Sequence, residues 1–214
     1  MTGLLQKDFY NLRTAIKNLL LILVIFIAYL IFRKHEFILP LVPVLLSSSL
    51  LTTVINLDRH SKWNMLMITA PLQKSELVKE KYVLLMLLNV SGVLIGTIVS
   101  IPFIISGTMK LVSFIDMTVL GWSVALLQGT IFLTYTYLFD KNLLEKLEIM
   151  MLVSYVISFA IIISVYYLVP DIFGTKNHSL IITHIVIWAI ILLTYFIFGK
   201  ISVNKNYNQS VAWL

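Results

Sequence analysis

Long apolar runs separated by short polar breaks set the pattern of this chain. The runs fall at about 17–32, 37–57, 82–105, 112–138, 149–169 and 179–199. A helix needs about 20 apolar residues to cross a hydrocarbon core, and six such runs predict six transmembrane helices. The fourth is long enough to hold a bend or a tilted end. The runs are continuous and do not alternate, which excludes the strands of a transmembrane barrel. Ahead of the first run, Leu5, Phe9, Leu12, Ile16 and Leu19 recur at steps of four and three. At 100° per residue they cover a stripe of about 80°, with Lys7, Asp8, Asn11, Thr14 and Lys17 off it. The pattern predicts an amphipathic helix over residues 1–16, lying in the inner headgroup layer. A plain N-terminal extension of the first span fits the same residues.

The stretch DRHSKWNMLMITAPLQKSELVKEKY, residues 58–82, departs from this pattern. Charged residues make up 12% of the 214 in the chain, or 26 in all. Eight of them, Asp58, Arg59, Lys62, Lys74, Glu76, Lys79, Glu80 and Lys81, lie in this one segment. Trp63, Leu66, Met67 and Ala70 suit a short interfacial helix, since Trp favours that depth. Pro71 interrupts it, because proline lacks the N–H that a helix interior needs. From Lys74 to Tyr82 the pattern is helical again and runs on into the third span. Glu76 falls near the new helix start, where the macrodipole favours a negative charge. The result is a charged elbow against the membrane surface; a solvated loop carrying the same charges accounts for the composition equally well.

Composition supports the membrane assignment. The hydrophobic fraction is 59% and the mean hydropathy +0.96, well above the soluble norm of about 45–50% apolar. There is no cysteine, so neither disulfides nor thiolate metal sites are available. The net charge of +6 follows from Lys and Arg held on the cytoplasmic side, without a nucleic-acid partner. With the N-terminus inside, the inner segments hold Lys7, Arg13, Lys17, Arg59, Lys62, Lys74, Lys79, Lys81, Lys141, Lys146, Lys200 and Lys205. The outer turns hold only Arg33, Lys34, Lys110 and Lys176. This bias predicts that both termini and the segment 58–81 face the cytoplasm. The first run has no small-residue cleavage site behind it, and we read it as a retained span and not a signal peptide.

Candidate chemistry is sparse. His35, His60, His178 and His184 are scattered, with none of the spacing a metalloprotease helix requires. The sequence contains neither a Gly-x-Ser-x-Gly elbow nor a Walker A motif. The chain is therefore not expected to be an enzyme, to bind a metal or to hydrolyse a nucleotide itself. Ion-coupled transporters keep ionisable residues at mid-membrane depth. Asp116, near the outer start of the fourth span, reads as an interfacial cap, and His184, near the outer end of the sixth, as a packed polar residue. Asn89, Ser91, Ser123, Gln128, Thr130 and Thr134 are neutral residues within spans, suited to helix–helix hydrogen bonding. Asn89, Ser123 and Gln128 are also candidates to line a path for an amphipathic cargo.

Two groups of residues carry a resemblance to a known family. Leu5-Gln6-Lys7-Asp8-Phe9 forms the first. Asp58, Lys62-Trp63, Pro71-Leu72, Lys74, Val78 and Lys81-Tyr82 form the second. Together they resemble the membrane subunits of ABC-2-type transporters, in the bacterial group of small permeases whose ATPase is a separate polypeptide. Arg59 stands where that pattern has an acidic residue, and Gln73 where it has a capping Ser or Thr; Gln is the weaker cap.

The resemblance implies an all-α polytopic half-transporter of the ABC-2 (type V) exporter kind, a single transmembrane domain over residues 1–214 with its interfacial helix at 1–16. Two such subunits, expected as a homodimer, pair in the bacterial plasma membrane, and two ATPase subunits that bind ATP and Mg dock below. The segment 58–81 then corresponds to the coupling element, with Asp58, Trp63, Pro71, Lys74, Glu76, Lys79 and Lys81 as its candidate residues. Lys7, Asp8 and Phe9 belong to the interfacial helix. Small permeases of this group include exporters of phenol-soluble modulins and lantibiotic export or immunity systems, so an amphipathic peptide is the expected cargo. The competing class is a secondary transporter or channel working without an ATPase.

Overall fold

The computed structural model describes residues 2–61, 74–138, 147–173 and 179–208. Trp63 and Pro71 lie outside these residues. Six long helices account for nearly all of the described chain: α1 (Thr2–Phe32), α2 (Leu41–His60), α3 (Lys74–Ile105), α4 (Leu111–Leu138), α5 (Leu147–Phe173) and α6 (Ser179–Asn208). Each contains a stretch long and apolar enough to cross a membrane. The fold is all-α, as the continuous apolar runs predict.

The ends of the helices follow local backbone chemistry. After α1 the chain turns at Lys34, whose φ of 56° is left-handed. The Lys34 N–H donates to the Ile31 carbonyl and the His35 N–H to the Leu30 carbonyl, which satisfies carbonyls that the helix end leaves open. A 3-10 turn, Glu36–Ile38, then leads into α2. At the end of α3, Gly107 has φ of 74°, a conformation that costs glycine nothing. The helix α3 begins at Lys74, three residues beyond Pro71, and continues unbroken through the charged stretch into the apolar run.

The leading segment and the first span are one continuous helix. Within α1 the buried face carries Leu4, Asp8, Leu12, Leu23 and Leu30. At 100° per residue this face is rotated by about 40° from the stripe drawn through Leu5, Phe9, Leu12, Ile16 and Leu19. Phe9 is consequently exposed, and Asp8 points into the protein.

The helix α2 occupies the centre: 61% of its most apolar window is buried, against 11% for α1 and 17% for both α5 and α6. It packs against α1, α3 and α4, while α4 also packs against α5 and α6. Contact between α2 and α3 is close because Gly92 and Gly96 present no side chain there. A Cβ on Gly96 would lie 2.7 Å from the Pro40 carbonyl oxygen, and one on Gly92 2.8 Å from the Val44 Cα. Small residues four apart are a device by which membrane helices approach, since lipid supplies no hydrophobic drive between them. Outward faces of α1, including Leu21, Val24, Ile25 and Phe26, remain exposed, as suits a helix bathed in acyl chains.

Side-chain contacts fix the direction of the helices. Start of α1, end of α2 and start of α3 meet through Lys7, Asp58 and Lys81. The Tyr82 hydroxyl lies 3.0 Å from Thr134 Oγ1 and 3.2 Å from Ser202 Oγ, which adds the ends of α4 and α6. At the opposite end Leu30, Leu39, Val42 and Met109 form a second apolar cluster. The beginning of α1, the end of α2, the beginning of α3 and the ends of α4 and α6 thus share one end of an up-and-down bundle.

Candidate functional site

The charged end of the bundle is built on apolar registers. In α2, Asp58 follows Leu51 and Val54 at steps of three and four. In α3, Lys81 sits between Val78 and Leu85, and Glu80 precedes Leu84 and Leu88 by steps of four. Those apolar neighbours are all buried. Each charged residue therefore occupies a position that helical periodicity turns inward, as Asp8 does in α1. Asp8, Asp58, Glu80 and Lys81 are all buried in consequence.

The burial is matched by ion pairing. Lys81 Nζ lies 2.5 Å from Asp8 Oδ2, 2.7 Å from Asp58 Oδ2 and 3.3 Å from Glu80 Oε2. Lys7 Nζ lies 2.5 Å from Asp58 Oδ1 and 2.9 Å from Asp8 Oδ1. Two ammonium groups and two aspartates form a closed ring, with Glu80 attached at its Lys81 side. A charge taken from water without a partner costs several kcal/mol, and here each lysine is shared between two aspartates. Hydrogen bonds between ionised partners are the stronger class. The ring joins three helices: α1 contributes Lys7 and Asp8, α2 contributes Asp58, and α3 contributes Glu80 and Lys81.

Of the residues singled out in the sequence, Lys7, Asp8, Asp58 and Lys81 are brought together. Lys7 and Asp8 of the first group that carries the family resemblance thus meet Asp58 and Lys81 of the second. On α3, Glu76 lies about one turn before the ring and Lys79 immediately before Glu80 on the outward side; Lys79 is exposed and Glu76 partly so. Lys74 opens α3. Phe9 faces outward beside the ring and takes no part in it. Glu80 escaped sequence reasoning, because in Lys79-Glu80-Lys81 it reads as one more charge of a solvated run. A signal was present: Glu80, Leu84 and Leu88 are spaced as a buried stripe.

The polar residues of the spans lie apart from the ring. Asn89, Ser123 and Gln128 are buried on α3 and α4. The Asn89 amide donates to the Leu85 carbonyl at 2.9 Å. Among the described residues nothing pairs with Asn89 Oδ1, Ser123 Oγ or either end of the Gln128 amide. Nearby polar groups are satisfied: Tyr155 Oη lies 2.8 Å from Ser48 Oγ and 2.9 Å from the Leu45 carbonyl oxygen, tying α5 to α2. At the far end of the bundle Asp116 and His184 face one another, with Oδ1 3.6 Å from Nε2. They link α4 to α6.

Comparison with known proteins gives one family. The model of the ABC-2 family transporter protein matches residues 3–206, nearly the whole chain. No curated protein and no solved structure matches.

Proposed function

The chain belongs to the ABC-2 family of transporter proteins, as a multi-pass membrane component and not a catalytic subunit, and on that footing we propose that it couples an ATPase to cargo export through residues 58–81. The observation that carries this proposal is the position of the ion-paired ring. It holds both flanks of the segment, at Asp58 and at Glu80 and Lys81, against the start of α1. Beyond the ring, α3 presents Lys79 to solvent and Glu76 partly so. A charged surface on a rigid base suits docking to a protein partner, and Trp63, Pro71 and Lys74 complete the same segment in sequence. Two ATPase subunits, which would bind ATP and Mg, are the proposed partners, with a second copy of the membrane subunit beside the first.

The excess of Lys and Arg at this end of the bundle supports a cytoplasmic location for it and for both termini. The setting proposed is the bacterial plasma membrane. For cargo we propose amphipathic peptides of the phenol-soluble modulin or bacteriocin type. The buried, partly unpaired polar atoms of Asn89, Ser123 and Gln128 within an apolar surround suit a ligand with both apolar and hydrogen-bonding faces. The experiment is hydrolysis by the reconstituted complex of this chain with an ATPase subunit, measured against a peptide panel. Stimulation by amphipathic peptides is expected. A chain that moves its cargo on an ion gradient with no ATPase bound would contradict the proposal.

A further inference from the structure

The ring of charges raises the question of what α1 gains from it. The helix has few buried side chains of its own: beyond Asp8 they are Leu4, Leu12, Leu23 and Leu30. Most of its apolar surface faces outward, and only 11% of its most apolar window is buried. Apolar contact therefore holds α1 loosely, above all because lipid is as good an apolar partner as another helix. Against this background Asp8 is wholly buried and bound by Lys81 of α3, and Lys7 reaches Asp58 of α2. Buried ion pairs seldom add stability over apolar residues of similar size; what they fix is register and geometry. Here they fix the start of α1 to both flanks of the segment 58–81, across separations of 51 and 73 residues.

We infer that the ring of Lys7, Asp8, Asp58 and Lys81 is a mechanical joint that makes α1 move as one piece with the flanks of residues 58–81. This deepens, and rests on, the reading of that segment as the ATPase-docking element. Displacement of the segment would then swing a lipid-facing helix and not only α2 and α3. Asp8 is a positioning residue in this account: it touches neither nucleotide nor cargo, and it acts through Lys81. Glu80 contacts the joint at Lys81 and also reaches the Asp8 carboxyl of α1, so it reinforces the same link between α1 and α3.

Asp8→Leu separates this role from simple stability. The substitution keeps the buried stripe of α1 apolar, and it leaves Lys7 facing Asp58 and Lys81 facing Asp58 and Glu80. The cysteine-free chain accepts spin labels at Tyr10→Cys and Lys79→Cys, both exposed positions, for pulsed dipolar distance measurement in lipid bilayers. The unsubstituted background should give one narrow distance. Asp8→Leu should lose that single distance while inserting at the same level, Asp8→Glu should restore it, and Lys7→Gln should broaden it partially. In complex with the ATPase, Asp8→Leu should retain capture of the partner yet lose peptide stimulation of hydrolysis. The joint is overturned if Asp8→Leu inserts and keeps the narrow distance. Should Asp8→Leu fail to insert, an unchanged distribution in Lys7→Gln overturns it as well. Failure of the unsubstituted chain to capture any ATPase strikes the proposed function instead, and the distance measurement still decides the joint.

Discussion

Two sets of buried polar side chains differ in how the protein satisfies them. At one end of the bundle Lys7, Asp8, Asp58, Glu80 and Lys81 meet in a network of ion pairs. Within the spans, Asn89, Ser123 and Gln128 are equally buried but keep unpaired atoms among the described residues. The first set carries full charges and the second only dipoles. An unmatched buried charge costs several kcal/mol, whereas an unmatched amide or hydroxyl costs about 1–3 kcal/mol. In the charged set Asp8 Oδ1 and Glu80 Oε1 accept no hydrogen bond among the described residues, yet each of these carboxylates keeps a lysine ammonium within 3.3 Å; the neutral set has no such compensation. A network tied by charge across three helices serves geometry, and unpaired dipoles within the spans leave sites for water, a second subunit or a cargo.

The comparison breaks first at Lys81. Lys81→Gln leaves Asp8 and Asp58 to Lys7 alone and takes from Glu80 its lysine, and removing one partner of a buried pair typically costs about 3–5 kcal/mol. Unfolding of the purified protein in mixed micelles should show a loss of that size; a loss below about 1 kcal/mol, the worth of an exposed pair, would mean that the ring is solvated. Next in size is Tyr82→Phe, which removes the hydroxyl bridging Thr134 and Ser202. Each lost hydrogen bond should cost about 1 kcal/mol in the same assay. Gln128→Leu should do least to stability. It exchanges an amide with two unpaired ends for an apolar group, so the change should be near zero or stabilising. If it lowers export of amphipathic peptides without lowering stability, the open polar set lines the cargo path; a clear loss of stability would show that Gln128 is paired within the protein.

Asp116 and His184 add a control from the far end of the bundle. They pair with each other across 3.6 Å, and no chain of ionisable groups among the described residues links them to the ring. Asp116→Asn should therefore leave ATP-driven transport intact. Transport that runs on a proton gradient and vanishes in Asp116→Asn would displace the ABC reading in favour of an ion-coupled transporter.

Hydropathy alone made the six spans legible, because lipid requires long continuous apolar helices and permits little else. Charged residues were harder to place. Asp8 lies only about 20° outside the stripe drawn through Leu5 and Leu19, at 100° per residue, so a modest rotation carries it from the polar face to the interior. Glu80 sits between two lysines in a run that looks solvated. Asp8 cannot be assigned from local pattern, since Lys81, the partner that makes its burial tolerable, lies 73 residues away; for Glu80 only its spacing to Leu84 and Leu88 tells against solvation. The close approach of α2 to Gly92 and Gly96 was hidden for a related reason: their spacing suits a helix interface, but nothing in the spacing names the neighbour. The family resemblance held part of the missing information in another form, for Lys7 and Asp8 of its first group and Asp58 and Lys81 of its second are residues that the fold brings together.

The central claim is that residues 58–81 engage an ATPase and transmit its work. Its most direct measurement is capture of the ATPase subunit, with peptide-stimulated hydrolysis, by the unsubstituted chain and by the charge-reversed pair Glu76→Lys and Lys79→Glu. Both positions carry little structural load, so the variant should insert normally. The unsubstituted chain should capture the ATPase and respond to amphipathic peptide. The reversed variant should capture it weakly, with a deficit that shrinks as salt screens the charges. Equal capture and equal stimulation in the two chains, at low salt as at high, would contradict the account.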